Sequence, residues 1–323
     1  MKAIVRDRYG SADVLHLRNV ELPRVGDEEV LVRVRAAGLD RGAWHIMAGL
    51  PYLLRAAGYG LRRPKVAGLG SELAGVVEAV GANVTGLEPG EAVFGTCAAS
   101  FAEYASTEPH KLARMPANLS FEQAAAVPVS AVTALQALRD RGRVHAGQYV
   151  LVIGASGGVG TFAVQIAKAL GANVTGVSST TKLDLVRSLG ADHMIDYTHA
   201  DIADGGRRYD VVLDVGGNRP LSQLRRVLTR DGTLVIVGGE GGGRWTGGIH
   251  RQLGTMAVSP FVRQRLGTFI AKTNSADLDA LRALIEAGSV TPAIDRAVAL
   301  DQVPDAIRDL VGGQVRGKIV IAT

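Results

Sequence analysis

Apolar and polar residues alternate in short runs over the first third of the chain. Runs of this kind, separated by glycine or Pro-Gly pairs, cover 2–6, 14–20, 30–36, 66–69, 73–80 and 92–94. A period of two is typical of strands with one buried face. The first third therefore predicts a small, curled antiparallel domain.

The pattern changes near residue 121. Helical periodicity covers 121–127 and 131–139, with Pro128 as an interruption. Predicted strands then follow over 149–153, 173–177, 193–195, 209–215 and 233–237. Helical segments alternate with them over 161–170, 182–189 and 221–228, and the chain ends in helices over 276–287 and near 303–310 and a strand over 318–321. This alternation predicts a parallel, doubly wound sheet, so that the fold class is α/β.

A glycine-rich run connects the first of these strands to its helix. It reads Gly154, Ala155, Ser156, Gly157, Gly158, Val159 and Gly160. Residues without a Cβ let the backbone turn sharply and let a pyrophosphate approach the free N–H groups at a helix start. Because the run lies between a strand and a helix, it predicts a dinucleotide site rather than a simple tight turn.

The end of the second strand of this region indicates which dinucleotide is bound. An NAD site has an acidic residue there, which hydrogen-bonds the ribose 2′-hydroxyl. This chain instead has hydroxyl residues from Ser178 and Ser179 onward, followed by Lys182. Hydroxyls and an ammonium suit a 2′-phosphate, so NADPH is predicted; the hydroxyl run could also cap the helix that follows.

Composition limits the remaining classes of function. The 323 residues favour about two domains, and one cysteine, Cys97, excludes a disulfide within the chain and a multi-cysteine zinc site. The net charge of +5 is scattered, which argues against a nucleic-acid partner. No apolar stretch is long enough to span a bilayer. With the charged start of the chain, this predicts a cytoplasmic protein without a membrane partner.

Several motifs together resemble the medium-chain dehydrogenase/reductase superfamily, in the zinc-free quinone oxidoreductase branch that includes zeta-crystallin. They cover 70–81, 87–93, 154–160, 189–193, 212–217 and 317–320. The resemblance implies a GroES-like, mostly β catalytic domain over 1–121 and 290–323. It also implies a Rossmann cofactor domain over 122–289, a cofactor in the cleft between the two, and a homodimer.

The residues that hold catalytic zinc in relatives are missing. The zinc enzymes of this superfamily have a cysteine where this chain has Asp40 and a histidine where it has Ser71, and their third ligand falls near Val129. The seven histidines are dispersed and have no ligand spacing. No metal site is expected.

The resemblance also implies the roles of individual residues. Thr133 is expected near the nicotinamide, Lys182 and Tyr197 near the 2′-phosphate, and Lys318 toward the cofactor. The glycines from Gly238 to Gly243 are expected to form either a mobile loop at the cofactor or a surface turn.

Two residues are candidates for the proton donor. Asp40 stands where relatives often have an asparagine; it could orient a water, or act as an acid if burial raises its pKa. Tyr52 has a phenol that can donate to an oxyanion. For both, a structural role is the alternative.

A site without zinc favours acceptors that form stabilised anions. Hydride addition to a ketone gives an alkoxide, whose conjugate acid is about as weak an acid as water, whereas a quinone gives a phenolate, whose conjugate acid has a pKa near 10. The phenolate is therefore the more stable anion, by about 8 kcal/mol. A quinone or activated enone is therefore the expected substrate.

Two other functions stay open. One is an enoyl-thioester reductase, for which the local basic residues are Arg62, Arg63 and Lys65. The other is a non-catalytic NADPH-binding structural or sensor protein.

Overall fold

The computed structural model describes residues 1–217, 219–238 and 243–323. This part of the chain divides into two compact units. The first comprises Met1–Val132, Thr273–Gly288 and Pro292–Thr323, and the second comprises Thr133–Lys272 and Ser289–Thr291. The domain bounds expected from the sequence stay a prediction; they differ from these units mainly in the placement of 122–132 and 273–288.

The strands and helices are numbered along the described chain. The strands are β1 (Lys2–Val5), β2 (His16–Asn19), β3 (Val30–Leu39), β4 (Glu72–Val80), β5 (Ala92–Thr96), β6 (Tyr104–Thr107), β7 (Leu112–Arg114), β8 (Tyr149–Ile153), β9 (Asn173–Ser178), β10 (His193–Asp196), β11 (Tyr209–Asp214), β12 (Leu228–Ile236), β13 (Arg265–Thr268), β14 (Ile294–Ala299) and β15 (Lys318–Ala322). The helices are α1 (Arg41–Ala48), α2 (Tyr52–Leu54), α3 (Phe121–Ala125), α4 (Pro128–Gln136), α5 (Gly158–Ala169), α6 (Leu183–Ser188), α7 (Leu221–Arg226), α8 (Ile249–Val258), α9 (Ser275–Glu286) and α10 (Val303–Val311).

The first unit is built on a mostly antiparallel sheet of order β14-β15-β3-β4-β5-β7, with β6 paired to β3. Alternation along β3 shows why it forms. Val30, Val32 and Val34 are buried, whereas Arg33 and Arg35 face solvent. This part of β3 therefore covers the core with one face, as the period of two predicts.

The second unit is a parallel six-stranded sheet of order β10-β9-β8-β11-β12-β13. Read from β8 outward, this is the doubly wound Rossmann order, in which the strand order reverses beside the first strand. The central strands β8 and β11 are apolar on both faces because helices cover a parallel sheet on both sides. The structure thus confirms the α/β fold class with a GroES-like sheet domain and a Rossmann-like domain.

Three local predictions were wrong. No strand forms over 66–69, where Gly68 makes only an isolated bridge with Val5. Pro128 does not interrupt a helix but begins α4, where its missing N–H has no helical partner to lose. Helix α1 was not predicted from its short apolar pattern.

None of the helices in the described part of the chain is both long and apolar enough to cross a membrane.

Candidate active site

The glycine-rich run forms the turn between β8 and α5. Gly154 adopts a positive φ of 84°, which favours glycine, and Gly157 precedes the first residue of the helix. A Cβ at position 160 would lie 2.1 Å from the Gly154 carbonyl oxygen. Gly160 is therefore required by the fold itself, since backbone occupies the space of a side chain.

Gly157 is different, because the fold leaves room for a side chain there. Among the described residues, a Cβ at this position would meet only the Gly154 carbonyl oxygen, at an ordinary 3.5 Å. Glycine also gives the start of α5 no side-chain cap. The first N–H groups of the helix are thus left for an outside acceptor. Both features fit the pyrophosphate of a dinucleotide.

The ends of β9 and β10 bring together most of the residues expected at the 2′-phosphate. Ser178 is buried, and its backbone carbonyl accepts a hydrogen bond from the Tyr197 N–H at 3.1 Å. Ser179 begins the turn in which the Lys182 N–H donates back to its carbonyl at 2.9 Å. The Tyr197 side chain is 56% exposed, so its phenol is available to a ligand.

The ends of β9 and β10 also carry a carboxylate that was not predicted from the sequence. Asp196 is the register partner of Ser178 across β9 and β10. The hydroxyls of Thr180 and Thr198 donate to it and hold its pKa below the ordinary value. Parallel strands end at the same edge of a sheet. The position of Asp196 directly after the predicted strand 193–195 therefore indicated that its carboxylate lies near the end of β9.

Two further cofactor candidates lie elsewhere in the second unit. Thr133 lies in α4 and is nearly buried. The Gly238 N–H donates to the Asp214 carbonyl at 3.2 Å, and a Cβ there would lie 2.1 Å from the Val215 carbonyl oxygen. Most of the glycine loop expected after it, 239–242, lies outside the described residues.

Asp40 acts as the N-cap of α1. One of its carboxylate oxygens accepts a hydrogen bond from the Ala43 N–H at 3.0 Å, and the other accepts one from the Ser71 hydroxyl at 2.9 Å. Both oxygens are used as acceptors. In this arrangement Asp40 therefore serves as a hydrogen-bond acceptor from both groups.

Tyr52 lies beyond the other end of α1. An eight-residue helix rises about 12 Å, so Asp40 and Tyr52 are not neighbours along it. The Tyr52 ring packs against the Arg55 guanidinium, with 4.7 Å between the guanidinium carbon and the ring centroid. The two candidate proton donors thus lie at opposite ends of α1 along the chain.

Glu72 and Lys318 form a buried ion pair. Their side chains are 0% and 1% exposed, and the Lys318 Nζ donates to one Glu72 oxygen. The other oxygen accepts from the Val129 N–H at 2.8 Å and the Ser130 N–H at 3.3 Å, at the start of α4. Burial raises the pKa of Glu72 to about 7, which the Lys318 charge opposes and the Asp40 charge reinforces. The ammonium of Lys318 is thus engaged with Glu72, and its expected role toward the cofactor stays a prediction.

Asp40, Ser71 and Val129 stand at the family's zinc positions, where the Ser71 hydroxyl donates to Asp40 and Val129 has an apolar side chain. Among the described residues no group of three or more His, Cys, Asp or Glu side chains could hold a metal. The Asp40 carboxylate accepts from Ala43 and Ser71, and Glu72 is paired with Lys318. Burial also raises the pKa of the Cys97 thiol to about 12, so this residue stays protonated.

Three large aromatic residues differ in burial. Phe94 is fully buried in the first unit, and Trp44 is half-buried against the core of that unit. Phe261, in the second unit, is 87% exposed.

Two family models match the chain. Residues 26–137 match the alcohol dehydrogenase GroES-like domain, and residues 189–321 match the zinc-binding dehydrogenase family. The matches fall on the sheet domain and on the later part of the chain.

Curated relatives match over nearly the whole chain. The chain is 35% identical to 2-methylene-furan-3-one reductase of Solanum lycopersicum, and 33% identical to the chloroplastic NADPH-dependent alkenal/one oxidoreductase of Arabidopsis thaliana. Both alignments cover 99% of this chain and 79% of the relative. It is 30% identical to the quinone oxidoreductase of Homo sapiens, over 99% of this chain and 97% of that protein.

A solved structure supports the same assignment. The quinone oxidoreductase from Coxiella burnetii superposes with a TM-score of 0.89 at 26% identity, covering 100% of this chain and 99% of that one. With the Rossmann strand order and the glycine turn described above, these matches establish that the chain belongs to the medium-chain dehydrogenase/reductase superfamily, in its quinone oxidoreductase (zeta-crystallin-like) branch.

Proposed function

We propose that the protein is an NADPH-dependent oxidoreductase that reduces quinones or activated enones without a metal ion. The observation that carries the proposal is the uncapped start of α5, where Gly157 leaves both space and N–H groups for a pyrophosphate. The relatives named for quinone and alkenal reduction supply the substrate class.

Bound NADPH supplies the hydride, and the protein's residues hold it in place. Ser178, Ser179 and Lys182 bind the 2′-phosphate with hydroxyls and an ammonium, beside Tyr197. Glu72 holds the first turn of α4, the helix that contains Thr133. Thr133 would contact the nicotinamide.

The acceptor oxygen becomes an anion that needs little help from the protein. A phenolate or a delocalised enolate is far more stable than an alkoxide, so the residues need not provide a Lewis acid. Tyr52 is one candidate to donate to that oxygen, because a phenol can donate to an oxyanion. Asp40 is the other, with its oxygens held by the Ala43 N–H and the Ser71 hydroxyl. Solvent is the alternative proton source.

We propose further that the protein is a homodimer in the cytoplasm. The dimer is supported by the second unit, where Phe261 and Ile270 are 87% and 90% exposed on either side of β13, an edge strand of the sheet. Large exposed apolar side chains beside an open strand edge favour association.

The test is oxidation of NADPH by 1,2-naphthoquinone and 1,4-benzoquinone, measured with a chelator present and with the uncatalysed rate subtracted. We expect saturable turnover that prefers NADPH to NADH and is unchanged by the chelator. Turnover that needs an added metal ion would refute the metal-free site.

The same assay separates the other two functions. Activity with an enoyl thioester but with no quinone or enone would establish the thioester reductase. Tight NADPH binding without turnover of any acceptor would establish a non-catalytic protein.

A further inference from the structure

A buried arginine near the start of the chain has no partner for its charge. Arg6 is 3% exposed, and its Nε and Nη1 atoms are buried without a hydrogen-bond partner among the residues that the structure describes. An arginine that is buried in this way is normally paired with a carboxylate or with several carbonyls. A buried guanidinium left unpaired is costly, and an unseen ion or ligand is one of the few physical reasons for it.

The groups around Arg6 do not neutralise it. Within the described part of the chain it forms no ion pair, and burial lowers its pKa from the usual value. The ionisable neighbour that acts on it is Tyr9, whose ring centroid lies 5.9 Å from the guanidinium carbon. A neutral phenol does not balance a full positive charge.

A second guanidinium lies on the same tyrosine. The Arg55 guanidinium carbon is 4.4 Å from the Tyr9 ring centroid and 4.7 Å from that of Tyr52, so that this cation connects the two rings. Its Nε donates to the Gly49 carbonyl at 2.9 Å and its Nη2 to the Ala48 carbonyl at 3.4 Å, and neither carbonyl carries a formal negative charge. Two arginines thus share one aromatic ring without a carboxylate bonded to either in the described structure.

The cluster is held rigidly enough to be a site. The Tyr9 hydroxyl is within donor distance of the Tyr59 carbonyl at 2.8 Å and the Gly60 carbonyl at 2.7 Å. A Cβ at position 49 would lie 2.5 Å from the Tyr9 ring. The aromatic ring that carries both cations is therefore fixed from two sides.

We propose that Arg6, with Arg55, forms an oxyanion subsite that takes a carboxylate, sulfonate or phosphate group carried by the acceptor. The subsite rests on the proposed function in one respect, because Arg55 contacts the ring of Tyr52, a candidate proton donor. A guanidinium presents N–H donors in a planar fork that matches such groups. Acceptors that carry an oxyanion are then preferred over neutral ones of the same shape.

The binding test needs no turnover and uses two ligands of one shape, 2-naphthoate and 2-naphthamide, followed by isothermal titration calorimetry. We expect Arg6→Gln to weaken 2-naphthoate by about tenfold or more and to leave 2-naphthamide unchanged. The matched control is Arg8→Gln, which removes an equal charge from an exposed side chain two residues away. Equal 2-naphthoate affinity in the wild type and both variants would refute the subsite.

Stability separates binding from a structural role. Removal of an unpaired buried charge should leave the denaturation midpoint of Arg6→Gln equal to or above that of the wild type. A lowered midpoint with unchanged 2-naphthoate affinity would show a structural arginine and overturn the proposal. If Arg6→Gln fails to fold, Arg6→Lys replaces it. This variant keeps the charge but not the fork, and 2-naphthoate should again bind more weakly.

A kinetic measurement connects the subsite to turnover. In Arg6→Gln we expect the KM for 1,2-naphthoquinone-4-sulfonate to rise about tenfold while that for 1,2-naphthoquinone stays unchanged. Equal changes for both quinones would overturn the subsite. Arginine-dependent binding of 2-naphthoate without any quinone turnover would instead refute the proposed function and leave the subsite standing.

Discussion

The buried ion pair of Glu72 and Lys318 connects three separate elements of the fold. The two residues come from β4 and β15, 246 positions apart in sequence. Glu72 also binds the first N–H groups of α4, so the pair connects the sheet to the helix that carries Thr133. A buried pair of this kind is costly to break because the remaining partner keeps an uncompensated charge.

We therefore expect Lys318→Met to lower the free energy of unfolding by roughly 3–5 kcal/mol at pH 8. The double variant Glu72→Gln/Lys318→Met should recover most of this loss, because no buried charge is left and the amide oxygen still accepts from Val129. Urea denaturation of the three proteins is the measurement. A double variant as unstable as Lys318→Met would show that the loss comes from packing and not from charge.

The raised pKa of Glu72 gives a pH dependence with a definite sign. The folded protein binds the Glu72 proton more tightly than the unfolded chain does, with pKa values of about 7 and 4.5. The associated stability is fully present below pH 4.5 and is lost as the pH rises through 7. Denaturation between pH 5 and 8 should show the wild type losing stability relative to Glu72→Gln as the pH increases. Parallel curves would contradict a raised pKa.

Lys182 is expected to distinguish the two cofactors. Lys182→Ala should weaken NADPH by about tenfold or more and change NADH little, because only NADPH carries the phosphate that the ammonium binds. Nucleotide titration followed by fluorescence measures both affinities. Arg187→Ala is the control, since it removes an exposed cation from the next turn of α6. Equal losses for NADPH and NADH would refute the 2′-phosphate role.

The sequence predicted which residues belong to the candidate site better than it predicted which residues they contact. Lys318 was assigned to the cofactor from the closing motif, but its ammonium is engaged with Glu72, which no local pattern connects to it. Asp196 was missed because it lies on the neighbouring strand and not on β9. Arg6 looked like any charged residue near a strand end. Burial and pairing depend on the tertiary structure. The surroundings of Lys318, Asp196 and Arg6 could therefore not be predicted from the sequence alone.

At the scale of elements, the glycine turn before α5 separates what the fold requires from what a ligand requires. Gly160 has backbone in the place of a side chain, whereas a Cβ at Gly157 would lie at an ordinary 3.5 Å from its nearest described neighbour, the Gly154 carbonyl oxygen. Alanine at position 160 should therefore disturb the turn and lower both stability and nucleotide affinity. Alanine at position 157 puts a methyl group in front of the free N–H groups without a clash inside the protein.

We expect Gly157→Ala to bind NADPH about tenfold or more weakly while its thermal unfolding temperature stays within a few degrees of the wild type. Gly160→Ala is the comparison variant, with both quantities reduced. Calorimetric titration and thermal denaturation of the same samples provide the measurements. Unchanged NADPH affinity in Gly157→Ala would indicate that the glycines serve only the turn.

Strands with long, continuous apolar runs were predicted correctly, whereas some short elements were not. The central parallel strands stand out because helices cover both faces, which leaves continuous apolar runs such as 149–153. The run over 66–69 is also apolar but forms only the bridge at Gly68, since strand formation depends on a partner along the whole segment. Helix α1 depends on the Asp40 cap, a contact that composition does not reveal.

For the whole molecule, the open edge of the six-stranded sheet bears on how the protein assembles. Strand β13 is the last strand in the sheet order, so one side of its backbone is unpaired within the described structure. Phe261 and Ile270 flank it, and Leu253 and Met256 on α8 are also more than half exposed. A second copy related by a two-fold axis would pair the two edges and bury these side chains together.

We expect the wild type to sediment as a dimer, and the double variant Phe261→Glu/Ile270→Lys to sediment as a monomer. A stable interface buries about 1,200–2,000 Å² in total, and charges at two of its most exposed apolar positions would remain desolvated in the dimer. Leu61→Lys is the control, because Leu61 is 71% exposed but belongs to the first unit. Sedimentation velocity over a range of concentrations measures the association. A wild type that stays monomeric at high concentration would refute the homodimer. A double variant that stays dimeric would show that the copies associate through another surface, because the edge of β13 would then not be what holds them together.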